Sequence, residues 1–177
     1  MATLAPQRFA APLGLRVRLI TLLSLAICPV IAVADGILVR FGALRADPWW
    51  IAVVAPLLGL AFTGPTVLVS WIVGYRLENG SLIIERLGRV VVLPLRDLTS
   101  ASADPAAFRF ALKLFGNDGA GSICGRYYSK RLGRFRAFVT DRANAVVLRW
   151  PAGAVVVSPD RPAAFLTAVA RHAGLSR

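Results

Sequence analysis

Hydrophobic and polar positions follow different patterns before and after Tyr75. The segment 19–39 contains Asp35 as its only charged residue, and the segment 48–75 contains none. A helix rises about 1.5 Å per residue, so roughly 20 apolar residues cross the hydrocarbon core of a bilayer. The pattern predicts a transmembrane hairpin with a first helix over 19–39, a short external loop over 40–47 and a second helix over 48–74.

Aromatic residues stand near both ends of the second predicted helix. Trp49 and Trp50 lie at its start, and Trp71 and Tyr75 lie at its end. Amphipathic rings settle at headgroup depth in a bilayer. These four residues are therefore predicted at the membrane interfaces.

The distribution of arginines predicts an orientation for the hairpin. The tail 1–18 and the stretch 76–89 carry three arginines each, whereas the loop 40–47 carries two. Cytoplasmic flanks are enriched in Lys and Arg. Both termini are thus predicted in the cytoplasm, as in a multi-pass protein of the cell membrane.

A secretory signal peptide is the alternative interpretation of the first helix. Ala32-Val33-Ala34 has the small-x-small pattern of a cleavage site and follows an apolar core. Cleavage would then remove the chain up to Ala34. The apolar run resumes at Ile37, which favours an uncleaved helix.

Short β-rich runs separated by turn signals follow Tyr75. Asn79-Gly80 tolerates positive φ and predicts a two-residue hairpin. A helix is predicted next, with Ser158 as its N-cap and Gly174 as its C-cap. The strand runs are YRLE, SLIIER, RVVVLPL, AAFRFALKLF, GRFRAFVT, NAVVLRW and GAVVVS. We expect a seven-stranded antiparallel β-barrel capped by a C-terminal α-helix over 75–174, and hence an α+β membrane protein.

Several short motifs of this domain resemble those of bacterial pleckstrin-homology-like (PH-like) proteins, in which two membrane helices precede the domain. The motifs are YRLENGSLII, Leu93-Pro94-Leu95 before Asp97-Leu98, Leu114-Phe115-Gly116, Gly133-Arg134-Phe135 leading to Thr140-Asp141, and Ser158-Pro159-Asp160 before Phe165. The resemblance implies a PH-like fold and a non-enzymatic role. Phosphoinositide-binding pleckstrin homology domains, as a family, use basic residues around a long loop between their first two strands, whereas the corresponding connection here is only Asn79-Gly80.

The segment 125–138 is a concentrated basic strip and the main candidate for binding. The whole chain has 21 Lys and Arg against 9 Asp and Glu, a net charge of +12, so an anionic partner is expected. Tyr127 and Tyr128 accompany the strip and have two interpretations, as interfacial contacts or as packing over the edge of the domain. The predicted basic patch consists of Arg126, Lys130, Arg131, Arg134 and Arg136.

Patterns typical of catalysis or of a cofactor do not occur in the sequence. His172 is the only histidine, and the carboxylates show no paired spacing. We therefore expect no catalytic residues, no metal and no cofactor. The sequence favours a membrane-anchored binding or scaffolding module that faces anionic lipid headgroups or an acidic partner. The alternative is an accessory subunit of a membrane complex assembled through the two helices, and nucleic acid is disfavoured because no recognition motif occurs.

Overall fold

Two β-sheets, three α-helices and one short 3-10 helix (Arg142–Asn144) make up the computed structural model, which describes residues 5–40 and 51–174. Sheet 1 has the strand order β1-β2-β3-β4, and all of its pairs are antiparallel. Its strands are β1 (Gln7–Ala10), β2 (Ile72–Glu78), β3 (Ser81–Arg86) and β4 (Arg89–Pro94). Asn79 and Gly80 both have positive φ, so the hairpin predicted at this dipeptide is confirmed.

Sheet 2 has the strand order β5-β9-β10-β8-β7-β6. Its strands are β5 (Ser100–Ala103), β6 (Leu112–Asp118), β7 (Ile123–Ser129), β8 (Gly133–Val139), β9 (Val146–Trp150) and β10 (Gly153–Val157). The pair β8–β10 is parallel, and the other pairs are antiparallel. Strands β4 and β6 each end their sheet without a further partner among the described residues.

Sheet 2 separates two hydrophobic cores because successive side chains of a strand point to opposite faces. The first core lies between sheet 1, one face of sheet 2 and helix α3 (Pro162–Ala173), with Tyr75, Phe138 and Phe165 among its members. The second core covers the other face and includes Tyr127 and Phe135. Ser158 does not cap α3 as predicted; the helix begins at Pro162, and Gly174 closes it in the left-handed conformation.

Helices α1 (Leu15–Arg40) and α2 (Ile51–Ser70) contact the turn between β6 and β7. Thr21 Oγ1 donates to the carbonyl oxygen of Gly119 at 3.2 Å and accepts from the Gly121 amide at 2.8 Å. Ser122 Oγ donates to the Ser70 carbonyl oxygen at 2.6 Å. Beyond these contacts, both helices carry large exposed apolar side chains, including Leu22, Leu23, Val30, Ile31, Leu57 and Leu58.

The structure contradicts the predicted transmembrane hairpin over 19–39 and 48–74. In the part of the chain that the structure describes, no helix is both long enough and apolar enough to cross a membrane. One physical reason is that 72–74 belongs to the start of sheet 1, where Ile72 is buried, so the uncharged run is not one continuous helix. The same finding contradicts the predicted localisation as a multi-pass cell-membrane protein with cytoplasmic termini.

The seven-stranded antiparallel barrel is also wrong. The described residues form two sheets that are not closed on each other, with ten strands and one parallel pair. Residues 7–10 of the predicted tail add β1 to the edge of β2, which no local pattern indicates. The parallel pair arises because β10 folds back on β9 and then lies against the free edge of β8.

Candidate anion-binding site

A cavity of about 560 Å³ lies where the two sheets part. Strand β4 and the turn that follows it form one wall, and strands β6, β7, β8 and β10 with the end of β9 form the other. The side chains that matter most for its chemistry are Leu93, Arg96, Asp97, Leu114, Arg126, Arg134, Arg136, Trp150 and Val155. The site therefore combines several guanidinium groups with apolar side chains.

Three residues of the predicted basic patch converge on this cavity. Arg126 on β7 and Arg136 on β8 are directly opposite partners in the antiparallel register. Arg134 lies two positions before Arg136 and so points to the same face of the sheet. Two charges of the same sign that lie directly across from each other on neighbouring strands destabilise a sheet. The three arginines make no ion pair with any carboxylate that the structure describes.

A hydrogen bond holds the two walls of the cavity together. The indole Nε1 of Trp150, at the end of β9, donates to the Pro94 carbonyl oxygen at 3.1 Å. This contact joins the last residue of sheet 1 to sheet 2. The Trp150 ring therefore lies at the cavity as a fixed apolar surface beside the arginines.

The turn after β4 adds one charge of each sign to the cavity. Arg96 and Asp97 are both exposed there, and Asp97 has a φ of 64°. Asp is among the residues that adopt this left-handed conformation most readily. With Arg96 included, four guanidinium groups face one carboxylate, so the cavity is positively charged.

The other two cations of the predicted patch lie elsewhere. Arg131 forms an ion pair with Asp104 at 2.5 Å. It lines a second cavity of about 640 Å³ together with Lys130, Phe110 and Tyr128. The predicted patch is thus split between two places, and only Arg126, Arg134 and Arg136 share the first cavity.

The aromatic residues predicted at membrane interfaces have different environments. Trp71 is half-buried, and Tyr128 is exposed at the second cavity. Tyr75 and Tyr127 are buried in the first and second cores, respectively. Trp49 and Trp50 lie outside the described residues.

Burial changes the acidity of both core tyrosines. Desolvation raises the pKa of Tyr75 to about 12, and its hydroxyl donates to the Phe138 carbonyl oxygen at 2.7 Å and accepts from the Ser158 amide at 3.1 Å. Desolvation, with the nearby Asp118 carboxylate, also raises the pKa of Tyr127. Both side chains therefore act as neutral, hydrogen-bonded core residues.

Neither Cys124 nor His172 lines the arginine cavity. Cys124 is buried in the first core, and desolvation raises the pKa of its thiol, which disfavours the nucleophilic thiolate. Desolvation lowers the pKa of His172, and the neighbouring Arg171 charge adds to this effect. Within 5–40 and 51–174, no group of three or more His, Cys, Asp or Glu side chains is placed to hold a metal ion.

Strand alternation gives part of this site, and the tertiary structure gives the rest. Alternation along β8 places Arg134 and Arg136 on one face, which follows from their spacing of two residues. The sequence gives no signal for Arg96, Leu114, Trp150 or Val155, because they reach the cavity from strands that are distant along the chain. Only the packing of sheet 1 against sheet 2 brings them beside the arginines.

A family model described as Bacterial PH domain matches residues 73–173, which is more than half of the chain. The chain belongs to this family. No curated protein and no solved structure matches it. The expected PH-like domain is therefore confirmed, whereas the transmembrane helices expected before it are not supported.

The matched range of the PH domain contains the whole arginine cavity. It runs from the second residue of β2 to the last residue of α3, and it leaves out β1, α1 and α2. The cavity is lined by residues of strands β4, β6, β7, β8, β9 and β10, whereas the short Asn79-Gly80 connection does not line it. The candidate site is thus a feature of the PH domain itself.

Proposed function

We propose that this PH domain is a non-enzymatic binding module that holds a phosphate-bearing acidic ligand in the arginine cavity. The observation that carries the proposal is the convergence of Arg126, Arg134 and Arg136 on one cavity without a carboxylate partner among the described residues. A guanidinium group binds phosphate through two parallel N–H···O bonds. A bound phosphate would therefore satisfy these donors and offset their mutual repulsion.

Energetics also favour an anion at this place. Hydrogen bonds to charged groups contribute about 1.5–3 kcal/mol each when solvent is excluded, and less when the partners are exposed. All three arginines are exposed in the absence of a ligand. We therefore expect binding of modest strength that weakens as salt screens the charges.

The source of the phosphate is either an anionic phospholipid headgroup or a soluble phosphate compound. Both present the same chemistry to the arginines. An acidic protein partner would present carboxylates instead, and competition by an acidic peptide distinguishes it. The alternative of an accessory subunit assembled through two transmembrane helices is not proposed, because it depended on the hairpin that the structure contradicts.

Calorimetric titration of the full-length chain tests this function. The protein is kept in a neutral detergent because α1 and α2 expose large apolar side chains. The ligands are inorganic phosphate, glycerol phosphate and dihexanoyl phosphatidylglycerol, with dihexanoyl phosphatidylcholine as the zwitterionic comparison. We expect the phosphate-bearing anions to bind and the zwitterionic lipid to bind more weakly.

Two triple variants with the same change in net charge separate a site from general charge attraction. Arg126→Gln, Arg134→Gln and Arg136→Gln together should abolish binding. Arg18→Gln, Arg89→Gln and Arg109→Gln together should not, since none of these residues lines the cavity. An equal loss of binding affinity in the two triple variants would mean that only net charge matters and would contradict the proposal.

A further inference from the structure

We infer that the ligand of the arginine cavity is an amphiphile, whose anionic head contacts the arginines and whose apolar part contacts the apolar side chains that flank them, Leu93, Leu114, Trp150 and Val155. This inference rests on the proposed function and names the chemical class of its ligand. These four apolar side chains line the same cavity as Arg126, Arg134 and Arg136.

The order of side chains across sheet 2 places the apolar and basic parts side by side. Val155 on β10 pairs with Arg136 on β8, and Arg136 pairs with Arg126 on β7. Neighbouring strands lie about 4.8 Å apart, so this row passes from apolar to basic over roughly 10 Å. Beyond Arg126 the row continues to Phe115 of edge strand β6, so apolar side chains flank the arginines on both sides. On its other side, Val155 pairs with the buried Leu148 of the first core. The apolar end of the cavity is therefore an extension of that core toward solvent.

The exposure of the apolar lining indicates a ligand with more than a phosphate group. Leu114, on edge strand β6, is 55% exposed. Leu93 and Trp150 are only half-buried. Inorganic phosphate would leave these surfaces in contact with water, whereas an alkyl chain would cover them. Small-molecule sites typically combine a mostly apolar wall with a few placed polar groups, as this cavity does.

The size of the cavity matches a compact ligand. Its volume of about 560 Å³ lies within the range of roughly 300–1,000 Å³ that is typical of small-molecule pockets. A second copy of the chain is a poor occupant, because its own arginines would approach those of the first copy. Charge complementarity and the apolar lining together favour a small amphiphilic anion.

Titration with a series of alkyl phosphates tests the inference. Inorganic phosphate, butyl phosphate and hexyl phosphate carry the same head and differ in chain length. Each buried methylene contributes about 0.8 kcal/mol, which corresponds to roughly a fourfold gain in affinity. We expect affinity to rise along the series in the wild-type full-length chain.

Two leucines on the same edge strand provide a matched pair of variants. Leu114→Gln removes an apolar contact of the cavity, whereas Leu112→Gln changes a residue that is 66% exposed and lies at the second cavity. Leu114→Gln should reduce the affinity for hexyl phosphate several-fold and leave inorganic phosphate unaffected. Leu112→Gln should change neither affinity. It is therefore the control for a general loss of nonspecific alkyl adsorption.

The outcomes distinguish this inference from the proposed function. Binding of all three phosphates with equal affinity, and its loss in the triple arginine variant, would overturn the amphiphile and leave the phosphate site intact. Hexyl phosphate binding that persists in the triple arginine variant would overturn both. An increase with chain length that depends on the three arginines and on Leu114 supports both.

Discussion

Arg126 on β7 and Arg136 on β8 lie directly opposite each other in sheet 2 and point into the same cavity. Directly opposed like charges destabilise an antiparallel pair by an amount similar to what opposite charges contribute, roughly 0.2–1 kcal/mol. Arg136 offsets part of this cost because its guanidinium group stands 5.2 Å from the centre of the Phe138 ring. The pair is thus a local electrostatic conflict, which the proposed anion would reduce.

Removing one charge of this pair should stabilise the ligand-free protein. We expect Arg126→Gln to raise the free energy of unfolding by about 0.2–1 kcal/mol at low salt, because the opposing charge at Arg136 then has no like-charged neighbour across the pair. Denaturant unfolding at low and high salt measures this difference, which should shrink as salt increases. Arg18→Gln, on exposed helix α1, is the matched control. An unchanged or lower stability of Arg126→Gln would contradict the repulsion.

The single carboxylate of the cavity should weaken anion binding. Asp97→Asn keeps the side-chain shape and tolerates the φ of 64° that this position requires. We expect it to increase the affinity for phosphate ligands by up to about fivefold, equivalent to about 1 kcal/mol for a charge interaction screened by water. Calorimetric titration measures this change, and Glu78→Gln, outside the cavity, is the control. Weaker binding to Asp97→Asn would show that the carboxylate supports the site rather than opposing it.

Stability should fall at alkaline pH because of Tyr75. Burial raises its pKa to about 12 from 10, so the folded state keeps the proton while the unfolded state loses it. The stabilisation is fully present below pH 10 and is lost as pH rises through the folded pKa, with a slope of up to about 1.4 kcal/mol per pH unit. Tyr127, whose pKa is also raised, contributes in the same direction.

Comparison with Tyr75→Phe isolates this effect. The variant leaves the Phe138 carbonyl oxygen and the Ser158 amide without the hydroxyl between them, so we expect it to lower the stability by about 1–3 kcal/mol at neutral pH. Its stability should then depend less steeply on pH above 10 than that of the wild type. Parallel slopes for the two proteins, measured by denaturant unfolding, would exclude Tyr75 as a source of the pH dependence.

Local features of the fold were predictable from the sequence, and its long-range pairings were not. The first hairpin was predictable from Asn79-Gly80, because these two residue types adopt positive φ readily. Strand β1 could not be found in this way, because its four residues gain their partners only when Phe9 lies beside Tyr75, far along the chain. The uncharged run before Tyr75 does not distinguish a buried strand from an apolar helix, because both lack charged residues.

The candidate site was predictable to a similar extent. The basic strip showed that an anionic ligand was plausible, and alternation placed Arg134 and Arg136 together. Sequence alone could not remove Arg131 from the site, since its ion pair with Asp104 exists only in the folded chain. The Trp150 contact to Pro94 likewise joins two sheets whose packing no local pattern specifies.

Nitrogen NMR of the arginine side chains tests the central claim most directly. The Nε–H signals of the full-length protein are assigned by single Arg→Lys variants and followed during titration with hexyl phosphate. The account predicts that the signals of Arg126, Arg134 and Arg136 shift together along one binding curve, while those of Arg18 and Arg89 stay unchanged. Shifts spread evenly over all assigned arginines, or confined to arginines outside the cavity, would contradict it.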